Sequence, residues 1–237
     1  MKLKKIIVLF TTVCILGGLV ACGKDTANEV NEENTNIQND EIVTGGESND
    51  DVASDSEQIT MEALMEHEVT PASDFVCMGD ETTGAIISRY EGTDEIVVIP
   101  DTIDGLPVTV ISSYTFGTNS NVKAVKISDS VTTIEELAFG TNENLEIVVL
   151  GSSVETIGTG AFIQCSSLKE IRLNEGLKTI HDQAFVGCDQ ITELYIPDSV
   201  ETIEFPIAWD ITLCGKKGSA AEQYTLDNEW AYFKEVE

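Results

Sequence analysis

Basic residues are scarce in this chain. Thirteen Lys and Arg stand against 42 Asp and Glu, a formal charge of −29 at pH 7. Nucleic-acid phosphates need a Lys/Arg footprint, so nucleic acid is excluded as a partner. Histidine is scarcer still, with only His67 and His181. Acid–base and nucleophilic catalysis need convergent polar groups. No G-x-S-x-G, glycine-rich phosphate loop or H-E-x-x-H spacing is present, so neither an enzyme nor a cofactor is expected. The acidic runs lack the D-x-[DN]-x-[DN]-G spacing of a calcium loop. Cys165 and Cys188 have no further His or Cys nearby to complete a four-ligand zinc site, so no metal is expected either. Long apolar runs are also missing. The longest, Ile6 to Val20, has 15 residues and is short for a bilayer span.

That run follows Lys2, Lys4 and Lys5, the charge-then-apolar order of a signal peptide. Directly after it, Leu19-Val20-Ala21-Cys22-Gly23 resembles the bacterial lipobox. The resemblance implies cleavage after residue 21 and lipidation of Cys22; the alternative is an ordinary signal peptide with an incidental cysteine. Two or more acyl chains give stable anchoring, at about 0.8 kcal/mol per buried CH₂. The expectation is therefore an extracytoplasmic chain held on the cell membrane by lipid.

Residues 22–72 read as the lipidated cysteine and an acidic linker. Asn, Glu, Asp, Ser and Thr dominate to about Pro71, aromatics are absent, and Lys24 is the only base. Such a composition cannot bury enough apolar surface to offset chain entropy, and disorder is expected. A flexible chain of that length spans roughly 40 Å before charge repulsion extends it. Met61 to His67 could form a helical turn or two, but so short a helix is marginal alone, and the segment is read as linker.

From residue 73 to 237 a 23-residue period governs the chain. Phe116, Phe139, Phe162 and Phe185 hold it, as do Ile111, Ile134, Ile157, Ile180 and Ile203, and Val122, Leu145, Leu168 and Ile191. Each repeat opens with an alternating strand such as Leu168 to Leu173, in which Ile171 and Leu173 point inward, then turns to a second extended piece, Leu177 to Ile180. A tight turn through Ala184-Phe185 leads to Cys188. One repeat cannot bury these apolar positions by itself, so repeats must stack.

The strings LKEIRLNEGLKTIHDQAFVGC and ITELYIPDSVETI resemble the BspA-type leucine-rich repeat of bacterial surface proteins, over roughly residues 74–237. The resemblance implies a β-rich leucine-rich-repeat solenoid, a right-handed superhelix with a parallel sheet and short helical turns, of about five repeats. It also implies that the sheet is where partners dock, and an association with adhesion and protein binding. The stretch Ile99 to Ile111 carries a five-residue insertion, and the Ala-Phe pair of the fifth repeat gives way to Pro206-Ile207-Ala208-Trp209. Both ends need lids. Phe75 to Met78 and Ile86 to Tyr90 read as an N-terminal hairpin, and Ser219-x-x-Glu222 as the start of a cap helix followed by a strand around Trp230 to Val236.

Comparing repeats with one another separates core from surface. The Phe column is packing, and Thr133, Thr156, Thr179 and Thr202 form a ladder. Cys165 and Cys188 stack on adjacent coils, close enough for a disulfide in an exported protein, or serve as small apolar fillers. Cys77 and Cys214 lie in opposite caps and are expected to be unpaired. His181 shares a column with Glu135, Gly158 and Glu204 and reads as surface.

What remains is the outer face of the first strands. One column runs Ile96, Ala124, Ile147, Glu170, Glu193; the next runs Val98, Lys126, Val149, Arg172, Tyr195. Their mixed apolar and charged character suits an interface centre, or simply β propensity. The expected function is a monomeric recognition module for an unknown extracellular protein or glycan. The alternative is an envelope spacer with no dedicated ligand.

Overall fold

The structure, a computed structural model, describes residues 59–117, 121–229 and 231–237. The expected signal peptide at 1–21, Cys22, the linker up to residue 58 and Trp230 lie outside the described residues.

In chain order the elements are α1 (Met61–Glu66), the strands β1 (Phe75–Asp80) and β2 (Gly84–Tyr90), and then the coils. The coil strands are β3 (Ile96–Val98), β4 (Thr102–Ile103) with β5 (Leu106–Ile111), β6 (Ala124–Lys126), β7 (Thr133–Ile134), β8 (Ile147–Val149) and β9 (Thr156–Ile157). They continue with β10 (Glu170–Arg172), β11 (Thr179–Ile180), β12 (Glu193–Tyr195), β13 (Thr202–Ile203) and β14 (Thr212–Gly215). The chain closes with α2 (Ala220–Asp227) and β15 (Tyr232–Glu235).

The result is a leucine-rich-repeat solenoid of about six turns, one more than expected. The addition arises because β14 takes the first-strand position of another coil, in parallel register with β12 (Leu194 opposite Leu213, Tyr195 opposite Cys214).

Second strands pair in parallel along the stack, with Thr133, Thr156, Thr179 and Thr202 in register and Ile134, Ile157, Ile180 and Ile203 beside them. The isoleucines point inward: Ile134, Ile157 and Ile180 are fully buried. The turn side is also laddered, since Phe116, Phe139 and Phe162 N–H groups donate to Ala138, Ala161 and Ala184 carbonyls at 2.8–2.9 Å. Each coil is thus tied to the next through main-chain bonds on more than one side, as a stack without helical crossovers requires.

The phenylalanines form a continuous stack. Ring centroids lie 4.7, 4.9 and 5.5 Å apart from Phe116 to Phe185, with planes within 10° of parallel. Tyr90 and Phe75 of the N-terminal hairpin extend the row at 5.5 and 5.3 Å. The hairpin is therefore a lid that continues the core rather than merely covering it.

The turns repeat a backbone feature too. Tyr114, Leu137, Gly160 and Gln183 have φ between 58° and 62°, one per coil. The next position in this column is Pro206, whose ring holds φ negative, so the fifth turn cannot copy the others. The five-residue insertion becomes the β4–β5 hairpin, closed by Asp104 (φ 53°) and Gly105 (φ 80°), the two-residue left-handed turn that antiparallel strands favour.

Three expectations are corrected. Residues 59–72 are not linker: Thr60 caps α1 by accepting from Ala63 N at 3.2 Å, and Met61 and Leu64 are buried against the solenoid. Thr70 then hydrogen-bonds both ways with Val98, at 3.0 Å through its N–H and at 3.0 Å through its hydroxyl. Second, the first-strand sheet is not continuous: β3, β6, β8 and β10 form one sheet, and β12, β14 and β15 another. Third, the capping box at α2 is altered, because Ser219 makes no side-chain cap while Glu222 accepts from Gly218 N at 2.6 Å.

Cys165 and Cys188 are free thiols, as are Cys77 and Cys214. Each of the stacked pair donates instead to a carbonyl of the coil below, Cys165 to Phe139 at 3.2 Å and Cys188 to Phe162 at 3.1 Å.

Candidate ligand face

The two outer columns run across β3, β6, β8 and β10 as one sheet and break before β12, and most of the first-repeat end is covered. Leu64 and Met61 of α1, with Ile59, pack on Val98, Ala124 and Ile147. Ile147 is 1% exposed and Val98 5%, which corrects their reading as solvent-facing. The reason is physical: three apolar side chains on adjacent parallel strands make a surface that α1 removes from water. Ile96, Lys126 and Val149 are half-buried around its edge.

Beyond α1 the face is open. Glu170 is half-buried; Arg172, Glu193 and Tyr195 are exposed, Tyr195 at 44%. Arg172 Nη2 lies 3.4 Å from Glu170 Oε1. On the separate terminal sheet Glu193 takes two hydrogen bonds from Lys234 Nζ, both 2.8 Å. The ammonium holds the Glu193 carboxyl below the usual carboxylate range, and the carboxylate raises Lys234 in turn. Cys214 sits between them in register with Tyr195 and Lys234, its thiol pushed up first by burial and then by the Glu193 charge.

Lys234 and Cys214 are the members of this face that sequence reasoning missed. Their signal exists only in three dimensions, because β15 reaches β14 after a helix and follows no 23-residue column. For α1 a signal did exist: Met61 and Leu64 are spaced to share one helix face, and the first three members of the outer column, Ile96, Ala124 and Ile147, are all apolar.

His181 does not join this face. It lies after β11, on the second-strand side, half-buried with Nδ1 2.9 Å from Glu204 Oε2. Among the described residues no three His, Cys, Asp or Glu side chains converge as a metal site would require.

The repeats resemble those of known proteins. Residues 95–207 match the BspA type leucine rich repeat region, in six copies. The matched residues span the coils whose outer columns form the face. Two solved proteins share the fold. A leucine rich repeat protein of T. pallidum is 29% identical with a TM-score of 0.59, the match covering 62% of this chain and 71% of that one. A leucine-rich repeat protein of Bacteroides ovatus is 26% identical with a TM-score of 0.51, covering 62% of this chain but only 40% of that one. No curated protein matches the sequence.

Proposed function

We propose that the BspA-type domain is a recognition module displayed outside the cell, tethered by a lipid on Cys22, that binds an extracellular protein or glycan through the open end of its first-strand face. The observation that carries this reading is that Tyr195 and Arg172, at equivalent positions of consecutive coils, are both exposed on the part of the face that α1 leaves free. Tyr and Arg are the side chains most often found at the energetic centres of interfaces. Export is supported by the Lys2 to Cys22 pattern; among the described residues no helix is long and apolar enough to cross a membrane.

The test is a crosslinking pull-down from intact cell surfaces with the native chain and with Val149→Ala, Arg172→Ala and Tyr195→Ala combined. Loss of a captured partner with unchanged melting supports recognition. No partner from either chain favours the spacer reading. Mass spectrometry of the mature N-terminus checks the anchor, since an unlipidated Cys22 would remove it.

A further inference from the structure

Along the stack, one bond recurs where each first strand ends. Ile99 N donates to Lys126 O at 2.9 Å, Ile127 N to Val149 O at 2.8 Å, and Leu150 N to Arg172 O at 3.0 Å. After an interruption it resumes as Ile196 N to Cys214 O at 2.8 Å. The missing member is Leu173 N to Tyr195 O, between β10 and β12, where no ladder exists among the described residues. At the strand starts the same step fails: Lys123 O and Glu146 O each accept two N–H groups from the next coil, whereas Lys169 O accepts none from β12. Yet the two coils stay joined on their other side, through Thr179 with Thr202 and Ile180 with Ile203. The solenoid is therefore open on its first-strand side at this one step.

Two independent observations mark the opening as a slot. Ile171 and Leu173 are half-buried, whereas their equivalents Val148, Leu150, Leu194 and Ile196 are buried. Beside the start of β10 a cavity of about 220 Å³ is lined by Glu146, Ser166, Ser167, Lys169 and Gln190.

We infer that the opening between β10 and β12 is a binding slot for an extended, neutral-to-basic polypeptide segment of a partner protein, which adds to the free edge of β10 as a strand. Unused main-chain donors and acceptors at strand spacing match the repeat of another extended main chain. Ile171 and Leu173 offer apolar contact to alternate side chains of the segment. A formal charge of −29 on the host disfavours an acidic segment. The inference deepens the recognition reading by naming polypeptide as the partner class.

The test uses the full chain and the peptide Lys-Val-Thr-Val-Thr-Val-Lys, alongside the same peptide N-methylated at each Val. In free protein the Leu173 amide should exchange with solvent far faster than that of Leu150. The parent peptide should slow it about tenfold, and the methylated peptide should bind about tenfold more weakly. A Leu173 amide already as protected as that of Leu150 means the slot is closed and overturns the inference. So does equal binding of the methylated peptide, which would mean side-chain recognition alone. If the parent peptide gives no protection while the triple substitution still abolishes surface capture, the slot fails and the recognition face stands.

Discussion

Phe139 has an aromatic ring on each side, at 4.7 and 4.9 Å, and no exposed surface. In a stack of this kind each ring is both filler and spacer, because its neighbours can collapse into a vacancy only by closing the coil rise. Phe139→Ala should therefore sit at the costly end of core truncations, about 3–5 kcal/mol, measured by urea unfolding. A loss below 1 kcal/mol would mean that the column is not continuous. Cys188 shows a different residue-scale effect. Burial pushes its thiol from the usual 9.0 up to about 12, and Cys165 moves the same way. A folded-state value raised above the unfolded one means that stability is complete below about pH 9 and declines as pH rises toward about 12. Unfolding free energy measured across that range should fall, and Cys165→Ala with Cys188→Ala should flatten the decline. An equally steep fall in the double variant would place the alkaline sensitivity elsewhere.

At the scale of elements, α1 is the clearest dependence of local structure on packing. Six residues do not hold a helix in water. Burial of Leu64 contributes on the order of 2–3 kcal/mol and supplies what propensity cannot. Leu64→Glu should release α1 while leaving the solenoid folded, seen as rapid cleavage at Glu62 and Glu66 by a Glu-specific protease with a core transition lowered by only a few degrees. Slow cleavage in that variant would show that α1 is held by Thr70 and Met61 instead. The same dependence explains why the segment reads as linker from sequence: its polar neighbours match the acidic stretch, and its apolar partners lie on strands some 30 to 90 positions later. The hairpin β1–β2 and the cap helix α2 were legible because their signals are local, an alternating run around a glycine turn and a Ser-x-x-Glu start. The break between β10 and β12 was not, since both strands keep the 23-residue spacing and an unbroken alternation.

For the whole molecule, charge opposes compaction. A formal −29 on 237 residues is self-repulsive, and the ion pairs that relieve it, such as Arg89 with Glu91 and Lys178 with Glu201, are exposed and contribute little each. Salt should thus stabilise, because the Debye length shrinks from about 10 Å at 0.1 M to about 3 Å at 1 M and weakens repulsion more than it weakens these pairs. Melting temperature is expected to rise by a few degrees over that interval, and a fall would show that the pairs dominate. Repeat identity, core columns and the Phe and Thr ladders were determined by the sequence alone, because stacking one unit on its copy turns a linear period directly into contacts. Which part of the outer face stays open was decided only in the tertiary structure. Cover by α1, the Glu193 to Lys234 bridge and the missing bond at Leu173 all join positions whose spacing obeys no period or breaks none, and periodicity says nothing about such contacts.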